Sequence, residues 1–443
     1  MADSIRIDRR GFLRTVGAAG TVAAAGGLAA ACSPGLQSPS GGGGGDVIKI
    51  GYVSPETGPL APFGEADQFV INAMNAHFKQ NPIKVGDRPF PVEILKRDSQ
   101  SDANRAADVA GDLILNNGVH LMLVSSTPDT SNPVSDQCEA NGLPCVATVT
   151  PWQPWFFGRG GQPDTKFEWT YNFFWGLEDV EKVYGDMWDQ VGTNKIAGAL
   201  WPNDPDGLAW GDPATGFAPE QAKRGYTILD PGTYPNGTQD FSSQIARFRD
   251  GAAEILLGVP IPPDFTTFWR QASQQGYHPK IATIGKALLF PSSVEALGPI
   301  GVNLGTEVWW SPSHPFQSSL TGQSAKALAD AYTQETKKQW TQPIGFAHAL
   351  FEVAVAAFGA VSSIDDRAGI AAAIAGMKLN TVVGPLDWTS GPVPNVAKTP
   401  LVGGQWRPGT ATPFDLVIVS NTQHPDIPVG GAVEPLPAPA PPA

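Results

Sequence analysis

Apolar residues along this chain switch between a two-residue and a three-to-four-residue period many times. Val47 to Val53 reads as a short strand, stopped by Pro55 and the Thr57-Gly58-Pro59 turn. Gly64 to Phe78 carries Phe69, Ile71, Ala73 and Met74 at helical spacing. Pro91 to Lys96 predicts a strand. Asp102 to Leu115 predicts a helix with Asp102 as its N-cap. His120–Val124, Pro133–Ala140 and Cys145–Thr148 continue as strand, helix, strand. A second alternating set follows, with helices over 178–191, 219–224, 241–250 and 264–275. Strands are expected between them over 195–200, 254–258 and 280–284. Apolar helices come later, at 346–358 and 366–377. Alternation of this kind builds parallel sheets covered on both faces, and so an α/β fold in two similar halves.

The two ends follow other rules. Asp8-Arg9-Arg10-Gly11-Phe12-Leu13-Arg14 precedes an Ala/Gly-rich apolar run ending at Ala31, the layout of a signal peptide. The paired arginines resemble a twin-arginine export signal. Leu28-Ala29-Ala30-Ala31-Cys32 resembles a lipoprotein processing site, with Cys32 as the lipidated residue. Ala29 is smaller than that pattern prefers, and Leu28 sits one place early. Residues 33–45 (SPGLQSPSGGGGG) form a flexible tether. From Pro425 the chain is Pro/Gly-rich, and disorder is expected there. Cys138 and Cys145 form either a disulfide or two buried thiols.

Net charge is −13, and −15 once the four Arg and two Asp of the first 31 residues are set aside. Such a surface repels phosphate backbones, which argues against nucleic-acid binding. No metal-ligand spacing, Walker loop, GxSxG elbow, HExxH or strand-to-helix GxGxxG is present, so neither a cofactor nor an enzyme is expected. Thirteen Trp in 443 residues suit either dense packing or an aromatic-lined pocket.

Six stretches, taken in order, carry a family resemblance. They are Ile48-Lys49-Ile50-Gly51 through Thr57-Gly58-Pro59 to Glu65; Asp98 to Asp102; Pro133 to Asp136; Asp240-Phe241-Ser242; Gly345 to Ala349; and Val383 to Trp388. Together they resemble ABC-transporter solute-binding proteins of the branched-chain amino-acid type, the periplasmic binding protein type 1 class. That resemblance implies two Rossmann-like lobes joined by three crossover segments, with a ligand cleft between them. By analogy, lobe one takes residues 46–172 plus 308–378, and lobe two takes 173–307 plus 379–424. It also implies an exported, lipid-anchored monomer that hands a small solute to an ABC permease/ATPase complex and touches the membrane through its lipid alone. A sensor presenting the same ligand to a receptor would have the same lobes.

The resemblance also points to site residues. Ser126 and Thr127, with Thr148 and Thr150, lie in the two lobe-one loops that hold a ligand carboxylate in the family. Short hydroxyl side chains and a helix N-terminus suit that task, though ordinary turn chemistry uses the same residues. Trp152, Trp201 and Trp309 each follow a strand and are candidate cleft rings. Lys286 stands where amino-acid-binding members place an acidic partner for the ligand ammonium, which suggests a carboxylate-bearing ligand, with aromatic acids among the candidates. Asp204, Asp206 and Asp264 keep the amino-acid alternative open.

Overall fold

Seventeen strands in the computed structural model, which describes residues 47–438, divide between two principal sheets and two hairpins. In the first half lie β1 (Ile48–Ser54), β2 (Ile83–Val85), β3 (Arg88–Phe90), β4 (Val92–Asp98), β5 (Leu121–Ser125), β6 (Cys145–Thr148) and β7 (Thr170–Phe173). Then come β8 (Ile196–Leu200), β9 (Thr227–Leu229), β10 (Ile255–Gly258), β11 (Ile281–Ile284) and β12 (Gly305–Val308). The last are β13 (Lys378–Thr381), β14 (Gly384–Asp387), β15 (Val396–Ala397), β16 (Val402–Pro408) and β17 (Phe414–Ser420). Lobe one is built on the order β15-β7-β6-β5-β1-β4, all parallel. Lobe two is built on β17-β16-β12-β11-β10-β8-β9, parallel except for the antiparallel edge made by β16 and β17. Strands such as Leu121–Ser125 and Ile255–Gly258 are buried throughout, as parallel strands covered on both faces must be.

The chain passes between the sheets three times, after β7, after β12 and between β15 and β16. The third passage differs from the expected division. Residues 379–397 belong with lobe one, because β15 pairs with β7 and Val382 N–H donates to Glu352 on the helix Pro343–Gly359, which packs under β5 and β6. The crossover therefore falls at 398–401. The apolar runs show where strands lie but not which sheet receives them.

Local expectations mostly fall within a few residues of the elements formed. Asp102 is the predicted N-cap and accepts from Arg105 N–H at 2.8 Å. The helix read as starting at Pro133 begins at Pro128 instead, with Pro133 in its interior. Pro128 fills the first helical position, where a missing N–H costs nothing. The helix Ala325–Thr336 is an addition, capped by Ser324, which accepts from Ala327 N–H.

One more expectation is corrected, and one left open is decided. Residues 425–438 are not a loose tail but a strap along lobe two. Ile427 is buried, Arg407 pairs with Glu434, Asn303 donates to Pro435 O, and Leu436 N–H donates to Lys280 O. Proline richness removed donors there, but the carbonyls found partners. Cys138 and Cys145 are both buried free thiols, so no disulfide joins them. Burial raises the Cys138 thiol pKa, with neighbouring Cys145 adding to it. The export signal, Cys32 and the tether lie outside the described residues. No described helix is long and apolar enough to cross a membrane.

Candidate functional site

The carboxyl ends of the parallel strands in both sheets point toward one interlobe cavity. Phe63 follows β1, Thr127 follows β5, Val149 and Pro151 follow β6, and Phe174 and Trp175 follow β7. From lobe two come Asp206 and Trp210 on the helix Pro205–Trp210 after β8, Val259 after β10, and Lys286 and Leu289 after β11. Glu307 in β12 and Trp309 just beyond it complete the lining. This is where open α/β sheets bind ligands. The lobes touch across it, where Phe63 meets Phe290 edge-to-face with ring centroids 4.8 Å apart. The cavity together with its open mouth spans about 320 Å³, and the lining side chains leave it narrow. The cavity lies at the seam of the lobes, where parting them about the three crossovers would widen it.

Two non-glycine residues in left-handed backbone face this cavity, one from each lobe. Val149 has φ 64° and Lys286 has φ 50°. For a β-branched residue that conformation is a true outlier, and such strain gathers at ligand clamps. Next to Lys286, Gly285 allows close packing: a Cβ there would lie 2.9 Å from Trp210 and 3.2 Å from Glu307 Oε1.

Lys286 is the centre of a buried charge cluster. Its ammonium lies 2.9 Å from Asp204 Oδ2 and 2.7 Å from Asp206 Oδ2. Burial alone would lower its pKa, but Asp204, Asp206 and Asp129 outweigh burial and raise it. Burial works against Asp204 too, yet Lys286 and the Gly207 N–H hold that carboxyl below its usual range. Asp206 goes the other way, because its burial exceeds the help from Lys286. Asp129, on lobe one at the start of the helix Pro128–Ala140, is raised for the same reason. Glu307 is pushed up to about 7 by burial, although Tyr184 and Thr306 donate to it.

The predicted residues divide accordingly. Thr127, Lys286 and Trp309 line the cavity, and Asp204 and Asp206 hold Lys286 there. Ser126 and Thr148 are buried one step behind: Ser126 accepts from Thr130 and Ser131, and Thr148 Oγ1 donates to Phe173 O. That is turn and ladder chemistry. Thr150 is buried with its hydroxyl unpartnered among the described residues, but it does not line the cavity. Trp152 lies instead in an outer groove with Phe157, Leu177 and Leu208, and its indole donates to Glu178 at 3.1 Å. Trp201 packs behind the site against Trp210 and Phe217. Asp264 accepts from Gly237 N–H, away from the cavity lining. Glu307 was missed, although an acid inside the buried run Gly305–Val308 is a signal sequence reading can use. Trp175 and Trp210 were also missed; Trp175 obeys the same strand-end rule that marked Trp309.

These features match a known class. Residues 47–410 match the family profile described as Periplasmic binding protein, and the chain belongs to that family. Its members are solute-binding proteins rather than enzymes, and they work outside the cytoplasm. Leu/Ile/Val-binding protein homolog 8 of Brucella abortus is 24% identical over 252 residues, 54% of this chain and 57% of that protein. The chain thus matches little more than half the length of these curated relatives. The leucine-binding protein of Thermotoga maritima superposes with TM-score 0.68 at 18% identity, covering 85% of this chain and 99% of that one. An ABC-transporter solute-binding protein from Rhodopseudomonas palustris BisB5, solved with 3,4-dihydroxybenzoic acid, gives 0.67 at 16%, covering 86% and 99%. At these identities the superpositions establish the fold.

Proposed function

We propose that this protein captures a small organic acid, flat or aromatic, outside the cytoplasm and delivers it to an ABC permease/ATPase complex. One observation carries the reading. The cavity is walled by both lobes and by the crossovers, and five aromatic rings (Phe63, Phe174, Trp175, Trp210, Trp309) line it beside a few buried polar groups. Ligand sites combine these two kinds of surface, apolar walls for affinity and a few fixed polar groups for orientation. The structural neighbour bound to 3,4-dihydroxybenzoic acid supports a ring-bearing acid.

The charge cluster bears on the choice of ligand. An amino acid needs a carboxylate for its ammonium, and Asp204 and Asp206 already face Lys286. Glu307 is the lining carboxylate outside that cluster, and it favours the amino-acid alternative. A thermal-shift panel of leucine, glutamine, benzoate, 3,4-dihydroxybenzoate and benzamide separates the two readings. A ligand specific to the folded state adds about 2.7 kcal/mol at a hundred times its dissociation constant. Acids are expected to raise the melting temperature and amino acids to leave it in place. The opposite pattern replaces the acid reading with the amino-acid one.

Export by the twin-arginine-like signal and anchoring through Cys32 belong to the same proposal. Their support is the sequence 8–45 and the family's location. Cys32→Ala is expected to move the protein from the membrane fraction to the soluble one. Unchanged membrane association would remove the lipid anchor from the account.

A further inference from the structure

Three tryptophans that line the cavity share an unusual property. Trp175, Trp210 and Trp309 are each at least nine-tenths buried, and the indole Nε1 of each has no hydrogen-bond partner among the described residues. Several other buried indoles do have an acceptor. Trp188 donates to Thr283, Trp269 to Ile300 O, Trp388 to Asn172 O and Trp406 to Leu288 O. A buried donor without an acceptor is costly, and proteins rarely keep one without a use. Here the three side chains that carry such donors line one cavity, on separate stretches of chain after β7, β8 and β12.

The obvious cation in the cavity is already engaged. Lys286 faces two carboxylates, and Asp129 adds a third negative group nearby. A ligand carboxylate approaching Lys286 would have to compete with them. We infer that the ligand's oxygen atoms are read by the indole N–H groups of Trp175, Trp210 and Trp309, and that Lys286 is a positioning residue for Asp204 and Asp206. This rests on the proposed acid-binding reading and names the groups that give it specificity. An indole donates and cannot accept, so such a site selects ligands by their acceptors. The rival use of the same rings, an aromatic box for a cation beside Asp206 and Glu307, needs no acceptor on the ligand.

The test uses 15N-tryptophan-labelled full-length protein titrated with 3,4-dihydroxybenzoate, leucine and tetramethylammonium. It is paired with calorimetric affinities for the single variants Trp175→Phe, Trp210→Phe and Trp309→Phe. Phenylalanine keeps a ring and removes the donor. The expected result is that the acid moves three of the thirteen indole signals downfield, and that each variant loses ten-fold or more in affinity for the acid. Trp269→Phe, on the outer side of lobe two, is expected to keep wild-type affinity. The signals of the wild-type protein decide the matter even where a variant folds poorly. Acid binding with the indole signals in place, and variants within two-fold of wild type, would overturn the inference while leaving the acid reading intact. Binding of tetramethylammonium and not of the acid would overturn both.

Discussion

The two lobes build opposite walls of one cavity. Lobe one supplies Phe63, Thr127, Val149 and Pro151, none of them ionisable; lobe two supplies Asp206, Lys286 and Glu307 along with Trp210, Val259 and Leu289. The ion pairs of Lys286 stay within lobe two, so they do not tie the lobes together. Lobe two can hold its polar groups in place whether the cleft is open or closed. On the proposed reading lobe one closes over the ligand as a mainly apolar surface, with Asp129 set just behind it. The difference leaves the charged groups of the site on one lobe and an uncharged wall on the other.

Substitutions on the two walls should therefore behave differently. The largest effect is expected from Lys286→Met, which strands two buried carboxylates. Breaking a buried pair in this way costs on the order of 3–5 kcal/mol, read as a lower urea midpoint. Adding Asp204→Asn and Asp206→Asn should recover much of that loss, whereas Thr127→Val on the opposite wall should cost less than about 1 kcal/mol. Equal losses from Lys286→Met and Thr127→Val would erase the contrast.

Glu307 gives the next effect, and it depends on pH. Its carboxyl is raised to about 7 in the folded protein by burial, against about 4.3 for an unperturbed glutamate. The folded state thus binds this proton more tightly than the unfolded one. The stability it contributes is fully present below about pH 4.3 and is lost as pH rises through about 7. Glu307→Gln keeps an acceptor for Tyr184 and Thr306 and cannot ionise. It should leave melting near wild type at pH 4.5 and raise stability by up to about 3 kcal/mol at pH 8. A variant that is equally or less stable at pH 8 would contradict the assignment.

The smallest effect is expected at Val149. Val149→Gly relieves a left-handed backbone worth about 1–3 kcal/mol, but it adds unfolded-chain entropy of roughly 0.5–1 kcal/mol and gives up the burial of a valine side chain, worth about 1.5 kcal/mol. Stability should change little, while affinity for the bound solute falls with the lost apolar contact. A large destabilisation would mean that Val149 holds the fold rather than the ligand.

Much of this was legible in the sequence for physical reasons. The strands and helices show in their periods; the family resemblance pointed to Thr127 and Lys286, and the position of a Trp at a strand's carboxyl end pointed to Trp309, and all three line the cavity. The same rule cannot tell a ring that turns into the cavity from one that turns into the core. Trp201 follows β8 directly yet packs against Phe217, while Trp210, at the end of a six-residue helix too short to show a period, lines the site. The partners of Lys286 lie about eighty positions away and meet it only through sheet order, since β8 and β11 both flank β10. The strap at 425–438 was read by its prolines, and its order comes from side chains on Asn303, Gln405 and Arg407 that no local pattern announces.

The most direct test is a crystal structure of the protein with whichever acid stabilises it most in the thermal-shift panel. The account predicts ligand density between the loops after β5 and β6 on one side and the Lys286 turn on the other, touching residues of both lobes. A ligand seated in the outer groove beside Trp152 and Leu208, or against one lobe alone, would contradict it.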